Sequence, residues 1–129
     1  MAYTVMVIDD SETIRSILVR SLAMTKLPID AVVQAANGRE ALGKLKEHWV
    51  DIVFSDIHMP EMNGIMLVNA MQEDPELRDV PIIIVSTEGS SARIEELKKM
   101  GIRGYLRKPF TPEAIRDVIV STLGAWDEP

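Results

Sequence analysis

Six side chains of this 129-residue chain are of types suited to metal or group-transfer chemistry, and each stands at the end of an apolar run. Asp9 and Asp10 follow "VMVI" (5–8), and Asp56 follows "DIVFS" (51–55). Ser86 and Thr87 close "IIIVST" (82–87), and Lys108 comes directly after "GYLR" (104–107). A run such as Val5–Ile8 reads as a strand buried on both faces, and two anions at its end cost free energy unless something offsets them. Each residue also has a plainer reading. Asp10 or Ser11 would cap the next helix from a surface turn, and Lys108 taken alone is a solvated lysine. The elements that carry these residues decide between the two.

Short apolar runs alternate with helical periodicity five times. The runs are "TVMVI" (4–8), "AVVQAA" (31–36), "DIVFS" (51–55), "VPIIIVS" (80–86) and "GYLR" (104–107). Ile14, Ile17, Leu18 and Leu22 mark one helical stripe; Ala41, Leu42, Leu45 and Trp49 mark a second. Ile65, Val68 and Met71 predict a third helix, Ile94 and Leu97 a fourth, and Ile115, Val118, Ile119 and Leu123 a fifth. Asn37-Gly38-Arg39-Glu40 has the form of a capping box, and Thr111-Pro112-Glu113 orders a cap, a first-turn proline and a first-turn acid. Pro28 closes the loop out of the first helix, and "EDPELRDVP" (73–81) is the longest connection.

Five such repeats predict an α/β fold, a doubly wound parallel sheet of (βα)5 type with helices on both faces and right-handed crossovers. Ligands in these folds sit beyond the carboxyl ends of the strands. All the residues named at the outset then share one edge. Three carboxylates, a hydroxyl and a lysine converge there, and the acids repel one another unless a cation joins them. An all-oxygen site with room for water suits Mg2+.

Composition narrows the function. There is no cysteine, so disulfides, thiolate catalysis and Cys-based zinc sites are excluded. A net charge of −6 argues against nucleic acid as a partner. The most apolar stretch, "VPIIIV" (80–85), is too short to cross a membrane, and "MAYTVM" lacks the pattern of a signal peptide. The expectation is a cytoplasmic monomer: one domain over residues 1–124, then a short tail (125–129) with no output domain.

"VIDDS" (7–11), "SDIHMPEMNG" (55–64), "IIIVST" (82–87) and "GYLRKPF" (104–110) resemble, in order and spacing, the receiver domain of two-component response regulators. That resemblance implies the strand order 2-1-3-4-5, which the alternation of runs by itself leaves open. The resemblance also implies that Asp56 accepts a phosphoryl group from a histidine kinase or histidine phosphotransfer protein. It implies that Asp10 ligates Mg2+ directly, Asp9 mainly through water, and that Asp56 and the backbone carbonyl of His58 complete the protein ligands. Lys108 pairs with the phosphoryl group, Ser86 turns toward it, and Tyr105 changes rotamer. A cis Lys108-Pro109 bond is implied as well. The protein is then a phosphoacceptor rather than an enzyme, apart from self-dephosphorylation. Its output is an unidentified protein bound through the fourth helix, fifth strand and fifth helix, around Arg93, Tyr105 and Arg107.

Two positions depart from the family pattern. Thr87 stands where a smaller residue is usual, and as a β-branched side chain it would restrict water approaching Asp56 in competition with His58 and Glu88. The stretch "EGSSARIEE" (88–96) carries only Arg93 where flagellar-switch binders tend to have lysines, so the resemblance leaves a motor target and other targets both open. A phosphate sink or phosphorelay intermediate would share every motif. A haloacid-dehalogenase-type phosphohydrolase would need an acid two residues after its nucleophile. His58 follows Asp56 and Ser11 follows Asp9 at that spacing.

Overall fold

A computed structural model describes residues 2–59, 61–87 and 90–124. Five strands, β1 (Tyr3–Ile8), β2 (Ile29–Ala35), β3 (Ile52–Asp56), β4 (Ile82–Ser86) and β5 (Gly104–Arg107), alternate with five helices. The helices are α1 (Glu12–Met24), α2 (Gly38–Glu47), α3 (Gly64–Glu73), α4 (Ser91–Met100) and α5 (Pro112–Leu123). All strand pairs are parallel, in the order β2-β1-β3-β4-β5. The fold class and strand order expected from the sequence are those of the molecule.

The period-2 alternation of the strands builds two cores. Val5, Val7, Ile52, Phe54, Ile83, Val85 and Leu106 face α1 and α5, meeting Leu18, Leu22, Ile115 and Ile119. Met6, Ile8, Val53, Ile82 and Ile84 face the other way, toward Leu45, Leu67, Val68, Met71 and Leu97. Strands β3 and β4 are buried along almost their whole length, which explains their unbroken apolar runs. Phe54 is fully buried, and deleting such a ring costs about 3–5 kcal/mol.

Local signals set the helix boundaries. The Oγ of Ser11 caps α1 by accepting from the Ile14 N–H at 3.2 Å, and Thr111 caps α5 by accepting from Ala114 N–H at 3.1 Å. Asn37 caps α2, accepting from Glu40 N–H at 2.9 Å. The returning bond of that capping box lands one residue early, with Glu40 accepting from Ala36 N–H at 3.3 Å.

The second helical stripe needs a correction. Trp49 lies past the end of α2 and is 82% exposed, with its indole N–H donating to Asp51 at 3.0 Å. Extending the periodicity to Trp49 ignored the helix end at Glu47, after which the chain must turn into β3. The second strand also begins earlier than expected, at Ile29 directly after Pro28. Pro60, Glu88 and the tail 125–129, each named above from the sequence, lie outside the described residues.

Candidate functional site

Strand register brings the acids together. Ile8 pairs with Ser55, so the next residues, Asp9 and Asp56, face each other across β1 and β3. Asp9 N–H continues the ladder onto Ala35 at 3.1 Å, and Lys108 N–H continues it onto the carbonyl of Ser86 at 2.9 Å. Asp9, Asp56 and Lys108 also share one parity: they prolong the alternate positions of Val7, Phe54 and Leu106, on the α1/α5 face. Ser86 and Tyr105 have the opposite parity, that of Ile84 and the face carrying α4's Leu97. Asp9, Asp56 and Lys108 therefore approach the edge from one side of the sheet and the hydroxyl-bearing pair from the other.

Asp9, Asp10 and Asp56 each offer an oxygen, and these lie within 4.8 Å of one another. Lys108 Nζ stands 3.3 Å from Asp9 Oδ2 and 3.6 Å from Asp56 Oδ1. Asp9 Oδ1 accepts from Ser11 N–H, and Asp56 Oδ1 from Ile57 N–H, both at 2.9 Å. Exposure is graded across the cluster: Asp9 is buried, Asp56 half-buried and Asp10 exposed.

Burial holds the Asp9 carboxyl above its ordinary value. The Ser11 N–H opposes that rise, the Asp56 charge adds to it, and Lys108 opposes it. One lysine thus faces three carboxylates, which leaves an all-oxygen cluster with excess negative charge. That donor set fits a hard divalent cation that retains water, such as magnesium, and offers neither thiolate nor a convergent imidazole for a softer metal.

The remaining expected residues take definite places. Ser86 is 2% exposed at the end of β4, and the exposed side chain of His58 lies two residues past Asp56. Thr87 is exposed and lines a cavity of about 270 Å³ with Ile14, Ile17, Lys108, Pro109 and Phe110, so it belongs to the Lys108 side of the site. The Lys108-Pro109 bond is cis. The Tyr105 hydroxyl is buried without a hydrogen-bond partner among the described residues.

The loop between β3 and α3 is pinned to its surroundings. Gly64 N–H donates to Ile57 O at 3.0 Å, and a Cβ on Gly64 would stand 2.5 Å from the carbonyl oxygen of Asp56. Gly38 N–H donates to Met62 O at 3.0 Å, where a Cβ would meet that same oxygen at 2.8 Å. Asn37 Nδ2 adds a bond to Glu61 at 3.1 Å.

Sequence reasoning missed Arg15, whose Nη1 donates to the Asp9 carbonyl at 2.6 Å. A signal was present. A cation so near the start of α1 opposes the helix dipole, and a local rule broken beside an acid pair marks a position for scrutiny.

Residues 5–120 match the model of the response regulator receiver domain. The chain belongs to that family. The receiver domain is 39% identical over 120 residues to a chemotaxis protein CheY homolog of Campylobacter jejuni, covering 92% of this chain and 91% of that protein. Among solved structures, chemotaxis response regulator CheY4 of Vibrio cholerae superposes with a TM-score of 0.84 at 33% identity, over 95% of this chain and 99% of that one. CheY in a CheX-CheY-BeF3-Mg complex from Borrelia burgdorferi gives a TM-score of 0.84 at 26% identity, over 94% and 89% of the two chains. This is a CheY-like receiver domain, a signalling protein of two-component systems rather than an enzyme in the ordinary sense. No helix among the described residues is long and apolar enough to cross a membrane.

Proposed function

We propose that Asp56 accepts a phosphoryl group from a phosphohistidine donor, and that the product alters partner binding through α4, β5 and α5. The observation that carries this reading is the placing of Asp56 Oδ1 between the Ile57 N–H at 2.9 Å and Lys108 at 3.6 Å, beside two further acids. In the transfer, an Asp56 oxygen forms the new P–O bond as the P–N bond of phosphohistidine breaks and the imidazole leaves. Asp10, Asp9, Asp56 and the His58 carbonyl would hold Mg2+. When bound, the ion offsets charge on the phosphoryl oxygens. Lys108, shared between Asp9 and Asp56 before transfer, moves its charge onto the phosphoryl group afterwards. The Borrelia neighbour, solved with beryllofluoride and magnesium, supports this assignment by similarity.

The Tyr105 hydroxyl, buried and without a hydrogen-bond partner among the described residues, supports a switching role. Leaving such a group unsatisfied costs about 1–3 kcal/mol, so small changes around Ser86 are enough to redistribute its rotamers. Output then runs over the surface near Arg93, Tyr105 and Arg107. The donor is a histidine kinase or histidine phosphotransfer protein, and the setting is cytoplasmic. A phosphate sink or relay intermediate uses the same site. It would differ by passing its phosphoryl group on without a phosphorylation-dependent output partner.

The test is mass spectrometry after incubation with acetyl phosphate and magnesium. Wild type is expected to gain one phosphoryl adduct and Asp56→Asn none, because an amide is a poor nucleophile; an equal adduct on the variant overturns the assignment. Thr87→Ala, which opens the Lys108 side of the site, is expected to form the adduct and lose it faster, by up to about tenfold for a barrier change near 1.4 kcal/mol. An unchanged or slower decay would remove Thr87 from the control of water access.

A further inference from the structure

The acid pair rests on a cation that is not part of the cluster. Arg15 is half-buried on α1, and its two contacts point in different directions. Nη1 donates to the main-chain carbonyl of Asp9 at 2.6 Å, and Nε donates to Gln34 Oε1 on β2 at 3.1 Å. That carbonyl belongs to the peptide joining Asp9 to Asp10. The N–H of Asp9 still belongs to the sheet ladder, but among the described residues no main-chain N–H donates to its carbonyl. The guanidinium therefore takes over where the ladder stops.

The other end of the fork is anchored as well. The Gln34 carbonyl accepts from Lys44 Nζ, and Lys44 pairs with Glu40 at 3.0 Å. Arg15 makes no ion pair of its own among the described residues. A planar fork with fixed angles suits this bridging role, and a lysine does not replace it.

We propose that Arg15 is a positioning residue: by holding the Asp9 carbonyl against β2 it sets the plane of the Asp9-Asp10 peptide, and with it the geometry in which the acids take a divalent cation. The proposal rests on the reading of this cluster as a magnesium site. It makes a prediction of sign. If Arg15 acted through charge alone, removing it would relieve repulsion and tighten cation binding. If it positions the acids, removing it weakens binding, since partners that orient ligands typically matter by about 10–100-fold.

The experiment is calorimetric titration of the full chain with MgCl2, without any phosphoryl donor, alongside urea unfolding in metal-free buffer. Wild type should bind and Asp10→Asn should not; absence of binding by wild type sinks the magnesium reading itself. With wild type binding, Arg15→Ala is expected to weaken affinity about tenfold, and Arg15→Lys to recover only part of it. Gln34→Ala, at an exposed position, keeps the charge and loses only the 3.1 Å anchor. It is expected to weaken affinity by a few-fold, and it decides the matter if Arg15→Ala fails to fold. Unchanged or tighter binding in Arg15→Ala, full rescue by lysine, or a Gln34→Ala protein of wild-type affinity would overturn the proposal.

Discussion

Two aspartate–lysine pairs in this molecule have similar chemistry and opposite behaviour. Asp9 and Lys108 meet at the carboxyl edge of the sheet, 3.3 Å apart, with the Asp9 side chain 4% exposed. Asp74 and Lys46 meet in direct contact where α3 and α2 end, with Lys46 about half exposed. Burial dominates at Asp9 and raises its pKa despite the lysine. The hydrogen bond from Lys46 dominates at Asp74 and lowers its pKa, while Lys46 rises in return. Burial at Asp9 and a direct hydrogen bond at Asp74 are what set the two pairs apart.

The sharpest way to break the contrast is to remove each lysine. Lys108→Ala is expected to retain part of the phosphorylation by acetyl phosphate while losing the response of α4 and Tyr105 to beryllofluoride in NMR spectra. Lys46→Ala should keep both. A wild-type response in Lys108→Ala would show that the half-buried lysine is no more functional than the exposed one.

Exchanging the aspartates tests the electrostatics. The raised pKa means that native Asp9 keeps its proton to higher pH than the unfolded chain. Its contribution to stability is fullest below the ordinary value of 3.8 and falls as pH rises through the raised value. Asp9→Asn is therefore expected to raise Tm in metal-free buffer near neutral pH by a few degrees, or about 1 kcal/mol, and to lose stabilisation by magnesium. Asp74 has the reverse sign. Its contribution is present above its unfolded pKa and disappears as pH falls through the lowered native value. Asp74→Asn should flatten the acid limb of the stability curve without raising stability at neutral pH. Urea midpoints measured across acid and neutral pH check both, and parallel curves for the two variants would refute the contrast.

The smallest effect concerns salt. At about 1 M salt, where the screening length is near 3 Å, the charge part of any stability difference between Lys46→Ala and wild type should shrink. The effect of Lys108→Ala on the beryllofluoride response should persist.

Most of the sheet was legible because β3 and β4 are buried on both faces and so read as unbroken apolar runs. Strand β2 was harder. It lies at the sheet edge and exposes Asp30, Ala31 and Gln34, so its pattern is diluted and its start was placed too late. Trp49 misled for a related reason: helical spacing counts apolar residues without registering that the helix has ended. The acids and Lys108 were legible through their places at strand ends, although strand order came from family resemblance alone. Arg15 was marked in the sequence only as a cation set against the dipole of α1; that it donates to the Asp9 carbonyl was not legible, because a sequence pattern does not say which peptide oxygen a side chain will reach.

The pinned loop between β3 and α3 bears on how this chain tolerates change in length. Its ends are fastened by Gly64 onto Ile57 and by Gly38 onto Met62, at contacts too close for any side chain. A residue inserted next to Gly64 would press on the carbonyl of Asp56. The connection at residues 74–81 closes on itself instead, through bonds from Leu77 and Arg78 to Asp74 and from Val80 to Leu77. A reporter peptide or fluorophore loop spliced between the exposed Arg78 and Asp79 is expected to leave the Asp56 edge of the sheet in place, and the same insert beside Met62 to disturb it.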